Sequence, residues 1–323
     1  MIVYILYLIV ILILFIIFFI SIYIIYKKNI LGFPYCYKLT NIKSPPGDNF
    51  NPGIIIYENN KYTNIITTNN FNCKVLFRNC ENNLEYSKIY ECNYDINKYN
   101  LYDIKLKYDI NINYCYEDPR LFVLNNKLYI SMTKLNKNGL IPKMVVVDYA
   151  NNIEYNFPYL NNIKGIDHIE KNWQFFQYLN KYYLLYSIYP FIIYEIDKNF
   201  NIIKKIKETV WKHKYVEILR CSAPPIFING VFYCIVHSFD FDIKKIYNTY
   251  FITFNENFDI LGYTLYPLYD NNKYYIIFST GFLYNKLNNS FIILSGVEDK
   301  YINLVKVNKI LLDIQLNFIN RYI

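Results

Sequence analysis

Charge is absent from Ile2 to Tyr26, and Ser21 is the one clearly polar residue in that run of Ile, Leu, Phe and Tyr. A stretch that is apolar on every face excludes an ordinary amphipathic surface helix. As a helix rising 1.5 Å per residue it would reach about 37 Å, more than the roughly 30 Å core of a bilayer. No basic stretch precedes it and no small-residue cleavage site closes it, which argues against a secretory signal. The expectation is a single-pass membrane protein anchored through residues 2–26, with 1–28 as the transmembrane segment and the side of the membrane left open.

Other absences narrow the chemistry. There is no Cys-x-x-Cys pair and no His at zinc-finger spacing, so a structural metal site is not expected. The seven cysteines, an odd number, cannot all pair within the chain; buried thiols are the simple reading, with one bridge among Cys73, Cys80 and Cys92 open to an oxidising lumen. The net charge of +8 is scattered among Asn, Tyr and Ile and forms no basic stripe, so nucleic acid is not an expected partner. Gly and Ala are scarce while Asn, Ile, Lys and Tyr abound, a bias of coding composition that carries no function. Beyond the anchor, no long stretch has helical periodicity.

What is present is a recurring hairpin. Pro34, Pro45, Pro46, Gly47 and Pro52 mark residues 29–53 as a linker. From 54 to 323 short β-branched and aromatic runs alternate with Asn-rich turns, notably at Asn125-Asn126, Asn180-Lys181, Asn229-Gly230 and Asn271-Asn272. These turns recur about every 40 to 55 residues, the period of a four-stranded propeller blade, and about five such units fit. The expected fold class is all-β, a five-bladed β-propeller preceded by one transmembrane helix. A β-sandwich is the weaker alternative.

The segment Tyr116-Glu117-Asp118-Pro119-Arg120 puts two carboxylates, a rigid proline and a cation just before an apolar strand. An acid held beside a cation can keep the defined protonation state that glycosyl transfer requires. The plainer reading is an Asp-Pro turn with an internal ion pair. Three further segments follow at hairpin edges: Glu170-Lys171-Asn172-Trp173, Tyr183-Leu184-Leu185-Tyr186-Ser187-Ile188-Tyr189-Pro190, and Leu219-Arg220-Cys221-Ser222-Ala223-Pro224-Pro225 with a strand ending at His237.

In this order the segments resemble the β-mannoside phosphorylase family (glycoside hydrolase family 130) and related β-mannosyltransferase-like proteins, over about residues 114–300. The resemblance implies a five-bladed propeller acting on β-linked mannosides or related sugars with inversion and without metal or other cofactor. It implies Asp118 as the catalytic acid, with Glu117 and Arg120 shaping its loop. Lys171, Asn172 and His237 would line the sugar and phosphate pocket, Arg220 would steady phosphate charge, and Asp299 would stand where the family has a late sugar-binding Asp. Trp173, Tyr183 and Tyr186 would offer flat faces to a sugar ring. His168 and His213 fall outside the pattern and are expected to be structural or exposed.

Two departures matter. No Arg occurs between Leu121 and Glu170, where the phosphorylases carry extra arginines for free phosphate, and Arg220 to Pro225 replaces a Gly-rich loop. Together with the expected anchor, this favours a membrane-tethered glycosyltransferase-like enzyme that moves mannose or a related sugar from a sugar-phosphate or nucleotide-sugar donor to a glycan. The alternatives are a β-mannoside phosphorylase or hydrolase, and a non-catalytic carbohydrate-binding propeller. Asn288-Asn289-Ser290 would be a glycosylation acceptor only in a lumenal domain.

Overall fold

Asparagines at positive φ set the hairpins. Asn59-Asn60 (49°, 63°), Asn125-Asn126 (49°, 59°), Leu179-Asn180 (47°, 61°) and Asn229-Gly230 (50°, 85°) are all left-handed at both central positions. That is the type I′ turn, whose twist matches the strands it joins. The third turn falls one residue ahead of the expected Asn180-Lys181. Positions 271–272 lie outside the described residues, and the inner hairpin of the last blade joins Ile277–Asn285 to Ser290–Val297. Thr264 to Leu268 is not a strand; the Leu268 amide donates to Thr249 O at 2.8 Å.

The computed structural model describes residues 12, 14–16, 36–38, 47–81, 86–95, 98, 100–111, 113–136, 142–157, 171–241, 245–268 and 276–320. Among the described residues five sheets follow one another as blades, antiparallel except where Ile65–Ile66 runs parallel to Ile277–Asn285. Blade 1 consists, from the inside outward, of Asp48–Glu58, Asn72–Cys80, Lys88–Asp95 and Asn100–Tyr108, with the short Lys61–Thr63 on the inner edge of the first. Blade 2 is Tyr114–Leu124, Lys127–Asn136, Lys143–Asp148 and Glu154–Asn156. Blade 3 is Gln174–Tyr178, Lys181–Ile188, Phe191–Ile196 and Ile202–Thr209. In blade 4 Leu219–Cys221 and Ile226–Ile228 share the inner edge of Val231–Phe241, followed by Lys245–Asn255 and Ile260–Tyr263. Blade 5 adds Tyr301–Asn308 to its inner hairpin and takes its outermost strand, Cys36–Lys38, from the other end of the chain, with Cys36 opposite Val305.

Hydrophobic packing shows that the ring is closed. There are five large buried clusters, one at each junction between blades. Ile55, Leu76 and Ile130 join blades 1 and 2; Phe122, Val146 and Phe175 join 2 and 3; Leu185, Phe191 and Phe232 join 3 and 4; Phe251, Phe282 and Phe291 join 4 and 5; Val75, Leu294 and Leu304 join 5 to 1. Each fully buried side chain of this kind contributes about 1.5–3 kcal/mol, so the blades are held chiefly face to face, with short parallel pairings of Ile65–Ile66 with Tyr284 and Asn285 and of Tyr247 with Ile276 besides. A helix, Lys309–Asn320, begins where Asn308 Oδ1 accepts the Ile310 amide at 2.9 Å, and buries Leu312 and Leu316 against blades 4 and 5.

Two sequence expectations change. The single-pass membrane placement is corrected: among the described residues no helix is long and apolar enough to cross a membrane. The expected span at 2–26 lies outside the described residues apart from 12 and 14–16. The first inner strand starts at Asp48, inside the stretch read as linker, because Asn49 to Gly53 are buried against the neighbouring blades. Cys73, Cys80, Cys92, Cys115, Cys221 and Cys234 are buried and none is in a disulfide.

Candidate active site

The inner strands of blades 1, 2 and 5 each slip register once, between Phe50 and Gly53, Glu117 and Arg120, and Ser279 and Gly281. A β-bulge of this kind re-aims the side chains it carries. In blades 1 and 2 the device is the same: a residue at positive φ (Asn51, 50°; Asp118, 52°) followed by proline. Asn and Asp are the non-glycine residues that best tolerate this region. The bulges nest against each other. A Cβ on Gly53 would stand 2.4 Å from Pro119 O, so only glycine lets the bulge of blade 2 sit there, while Thr280 Oγ1 donates to Pro52 O at 3.1 Å.

These bulges open onto a cavity of about 240 Å³ to which every blade contributes. Blade 1 supplies Phe50, Asn51 and Arg78; blade 2 Glu117 and Asp118; the approach to blade 3 Lys171 and Asn172; blade 4 Arg220, His237 and Tyr247; blade 5 Ile276, Phe278 and Asp299. The face is the one on which the chain enters each innermost strand. The hairpin turns at Asn59, Asn126 and Asn229 line a separate depression at the other end of the ring.

The acid side is tightly organised. Asn51 Nδ2 donates to Asp118 Oδ1 at 2.7 Å. The Arg78 guanidinium, stacked 5.0 Å from the Phe50 ring, pairs with Glu117 and stands 3.9 Å from Asp118 Oδ1. Burial pushes the Glu117 carboxyl up to about 7; Arg78 pulls against this and the Asp118 charge adds to it. Burial alone would lower Arg78, but Glu117 and Asp118 outweigh it and raise its pKa.

Beneath the cavity Arg120 is completely buried. Its Nε donates to Ser222 O at 2.7 Å, Nη1 to Asp118 O at 3.0 Å and Nη2 to Asn172 Oδ1 at 2.7 Å, so one guanidinium spans blades 2, 3 and 4. His237 Nδ1 lies 2.9 Å from Ser222 Oγ, and the ring packs edge-on to Phe278 at 4.5 Å. Burial first, then the charges of Arg120, Arg220 and Lys171, hold its pKa well below the usual histidine value, so the ring is neutral at neutral pH.

Seven of the residues expected from sequence therefore meet in one cavity: Glu117, Asp118, Lys171, Asn172, Arg220, His237 and Asp299. Arg120 braces them from below. Trp173, Tyr183 and Tyr186 do not line it. Trp173 packs on Tyr186 at 5.1 Å within the core between blades 2 and 3, and Tyr183 packs on Phe176 between blades 3 and 4, so neither presents a face to a sugar. His168 lies outside the described residues. Sequence reasoning missed Phe50, Asn51, Arg78, Tyr247 and Phe278. One signal was available for Arg78: the chain has only four arginines, Arg78, Arg120, Arg220 and Arg321, and three of them converge here. Among the described residues no group of three or more His, Cys, Asp or Glu could hold a metal ion.

The site is thus that of a five-bladed propeller with a small, charged central cavity. Neither a protein-family model nor a curated protein sequence matches the chain. Solved structures do match in fold. A β-1,2-mannobiose phosphorylase from Listeria innocua, in complex with β-1,2-mannobiose, is 13% identical with a TM-score of 0.59, over 84% of this chain and 92% of that one. A glycosyl hydrolase from Bacteroides ovatus is 13% identical with a TM-score of 0.56, over 80% and 84%. A structure from glycoside hydrolase family 130, a family of mannoside phosphorylases containing hydrolases that target β-1,2 mannosidic linkages in Candida mannan, is 12% identical with a TM-score of 0.53, over 81% and 84%. The chain shares the propeller of these enzymes.

Proposed function

We propose that the chain cleaves a β-linked glycosidic bond, of a mannoside or a related sugar, with inversion and by phosphorolysis. Asp118 donates the proton to the leaving oxygen. The observation that carries the reading is that one cavity holds both a carboxyl clamped by Asn51 and Arg78 and the cations Lys171 and Arg220, which also act on the neutral His237. An external phosphate is itself the nucleophile, so one protein carboxyl suffices, whereas an inverting hydrolase needs a second to activate water. Lys171 and Arg220 are suited to hold phosphate, with His237 contributing a neutral polar contact. The missing arginines between 121 and 170 are no obstacle, because Lys171 and Arg220 come from other blades. Hydrolysis is the second reading, and the near-neutral pKa of Glu117 favours it as the base.

The transferase expectation drew on a membrane anchor, and that support is gone; the fold neighbours are named as hydrolases and phosphorylases. The test is full-length protein, wild type and Asp118→Asn, with β-1,2-mannobiose and other β-mannosides, with and without inorganic phosphate, products read by mass. Phosphate-dependent release of a sugar 1-phosphate that the variant loses is expected. Sugar release without phosphate would make the enzyme a hydrolase, and transfer from a nucleotide sugar alone would restore the transferase. Folded protein that binds mannosides equally well in both forms without turnover would overturn catalysis.

A further inference from the structure

On the same face as the cavity, two loops of blade 4 carry a pair of exposed rings. Tyr215, in the loop leading into Leu219–Cys221, and Tyr266, in the loop leaving Ile260–Tyr263, are 57% and 51% exposed and stack with centroids 6.0 Å apart and planes 28° from parallel. Large apolar faces grouped together in the open are the informative exception on a protein surface.

The pair is built rather than incidental. Buried His213 fastens the two loops together: its Nδ1 accepts the Tyr215 amide at 3.1 Å, and its Nε2 lies 2.9 Å from Thr264 O. Accepting at Nδ1 leaves Nε2 as the donor, the neutral tautomer, and burial lowers the pKa of this ring accordingly. The Tyr266 loop is pinned on both sides, by the Thr264 amide on Phe251 O at 3.0 Å and the Leu268 amide on Thr249 O at 2.8 Å. Both rings are thus carried on backbone that is already fixed, so a ligand would order little by binding.

The neighbouring cavity gives this platform a use. At about 240 Å³ it is smaller than the roughly 300–1,000 Å³ of pockets that enclose drug-sized ligands, so the rest of a longer glycan must run outside it. Tyr215 precedes Arg220, which lines the cavity, by five residues, a separation of no more than about 18 Å even fully extended. Resting on the mannoside-cleaving reading above, we infer that Tyr215 and Tyr266 form an outer subsite that stacks on a sugar ring of a substrate longer than a disaccharide.

The experiment uses the full chain and β-1,2-mannooligosaccharides of two to six units, in wild type, Tyr215→Ala, Tyr266→Ala and the double variant. In the wild type kcat/KM should rise with length by about tenfold, roughly the worth of one good contact, and the variants should lose that rise. Melting temperature and disaccharide turnover check that each variant is folded. A wild type without length dependence, or variants that keep it, would overturn the subsite. Binding of the same series to Asp118→Asn, followed by calorimetry, separates this inference from the catalytic one. Tighter binding of longer chains that Tyr215→Ala and Tyr266→Ala abolish supports the platform even if no bond is cleaved; equal affinity at every length overturns it even if cleavage is observed.

Discussion

Asn51 and Asp118 face each other from equivalent bulges of adjacent blades, joined by a 2.7 Å hydrogen bond from Nδ2 to Oδ1. The bond fixes the orientation of the carboxyl at the wall of the cavity. Asn51→Asp keeps the size and the tolerance of positive φ but replaces a donor with a second carboxyl. The two acids would then share one proton, and the alkaline limb of the kcat/KM profile, where a general acid loses its proton, should move to higher pH. An unmoved limb with activity intact would remove Asn51 from the acid's environment.

Gly296 should matter although it lies off the cavity. A Cβ there would stand 2.3 Å from Asn51 Oδ1 and 2.7 Å from Asn51 N, so Gly296→Ala must displace the residue that orients Asp118. Activity is expected to fall by about 10²-fold, as misplacement of a catalytic group by about 1 Å can do. A crystal structure of the variant with Asn51 in place would refute the relay.

Arg120 is expected to dominate stability. Arg120→Met leaves Ser222 O, Asp118 O and Asn172 Oδ1 without their donor in a buried site, a loss of about 3–5 kcal/mol by analogy with broken buried pairs. Arg120→Lys keeps the charge but not the planar fork, and should recover only part of it. Urea unfolding of the two variants measures both.

Stability should depend on pH with two opposed contributions. His237 is neutral in the fold, while the unfolded chain takes up a proton below about 6.5, so stability declines as pH falls through that value; buried His213 acts in the same direction. Glu117 is raised to about 7, so the folded state holds a proton the unfolded state has released, and its contribution is lost as pH rises from about 4.5 to about 7. In urea midpoints between pH 4.5 and 7, His237→Gln should weaken the loss on acidification and Glu117→Gln should steepen it. Identical profiles for all three proteins would contradict both assignments.

The acid half of the site could be read from sequence because Glu117, Asp118, Pro119 and Arg120 are contiguous and charged where a surface loop is normally plain. Asn51-Pro52 performs the same bulge, but with a neutral side chain in an apolar strand it carries no signal unless compared with Asp118-Pro119. Arg78 sits alone between Phe77 and Asn79, and only topology brings it to Glu117. Trp173 and Tyr186 were misplaced for the converse reason: aromatic character marks burial and sugar stacking alike, and alternation along a strand does not say which face meets a neighbouring blade. The blades themselves were legible in their turns, since two successive left-handed residues favour Asn or Gly, with Leu179 the exception. The last blade was harder, because its inner hairpin turns over residues 286–289, with Asn289 alone left-handed in that loop.

Cys36–Lys38 pairs with Tyr301–Asn308, joining strands that lie some 270 positions apart in the chain. During synthesis this strand emerges some 270 residues ahead of its partner, so the ring has a seam that stays open until that partner has been made. Blades 2 to 4 are local hairpins and can form as they appear, whereas closing so long a loop is the slow, entropically costly step. Until then the outer edge of Tyr301–Asn308 is an unpaired strand able to accept another chain. Cellular yield should therefore follow the integrity of residues 36–38 more closely than that of any comparable stretch within the ring.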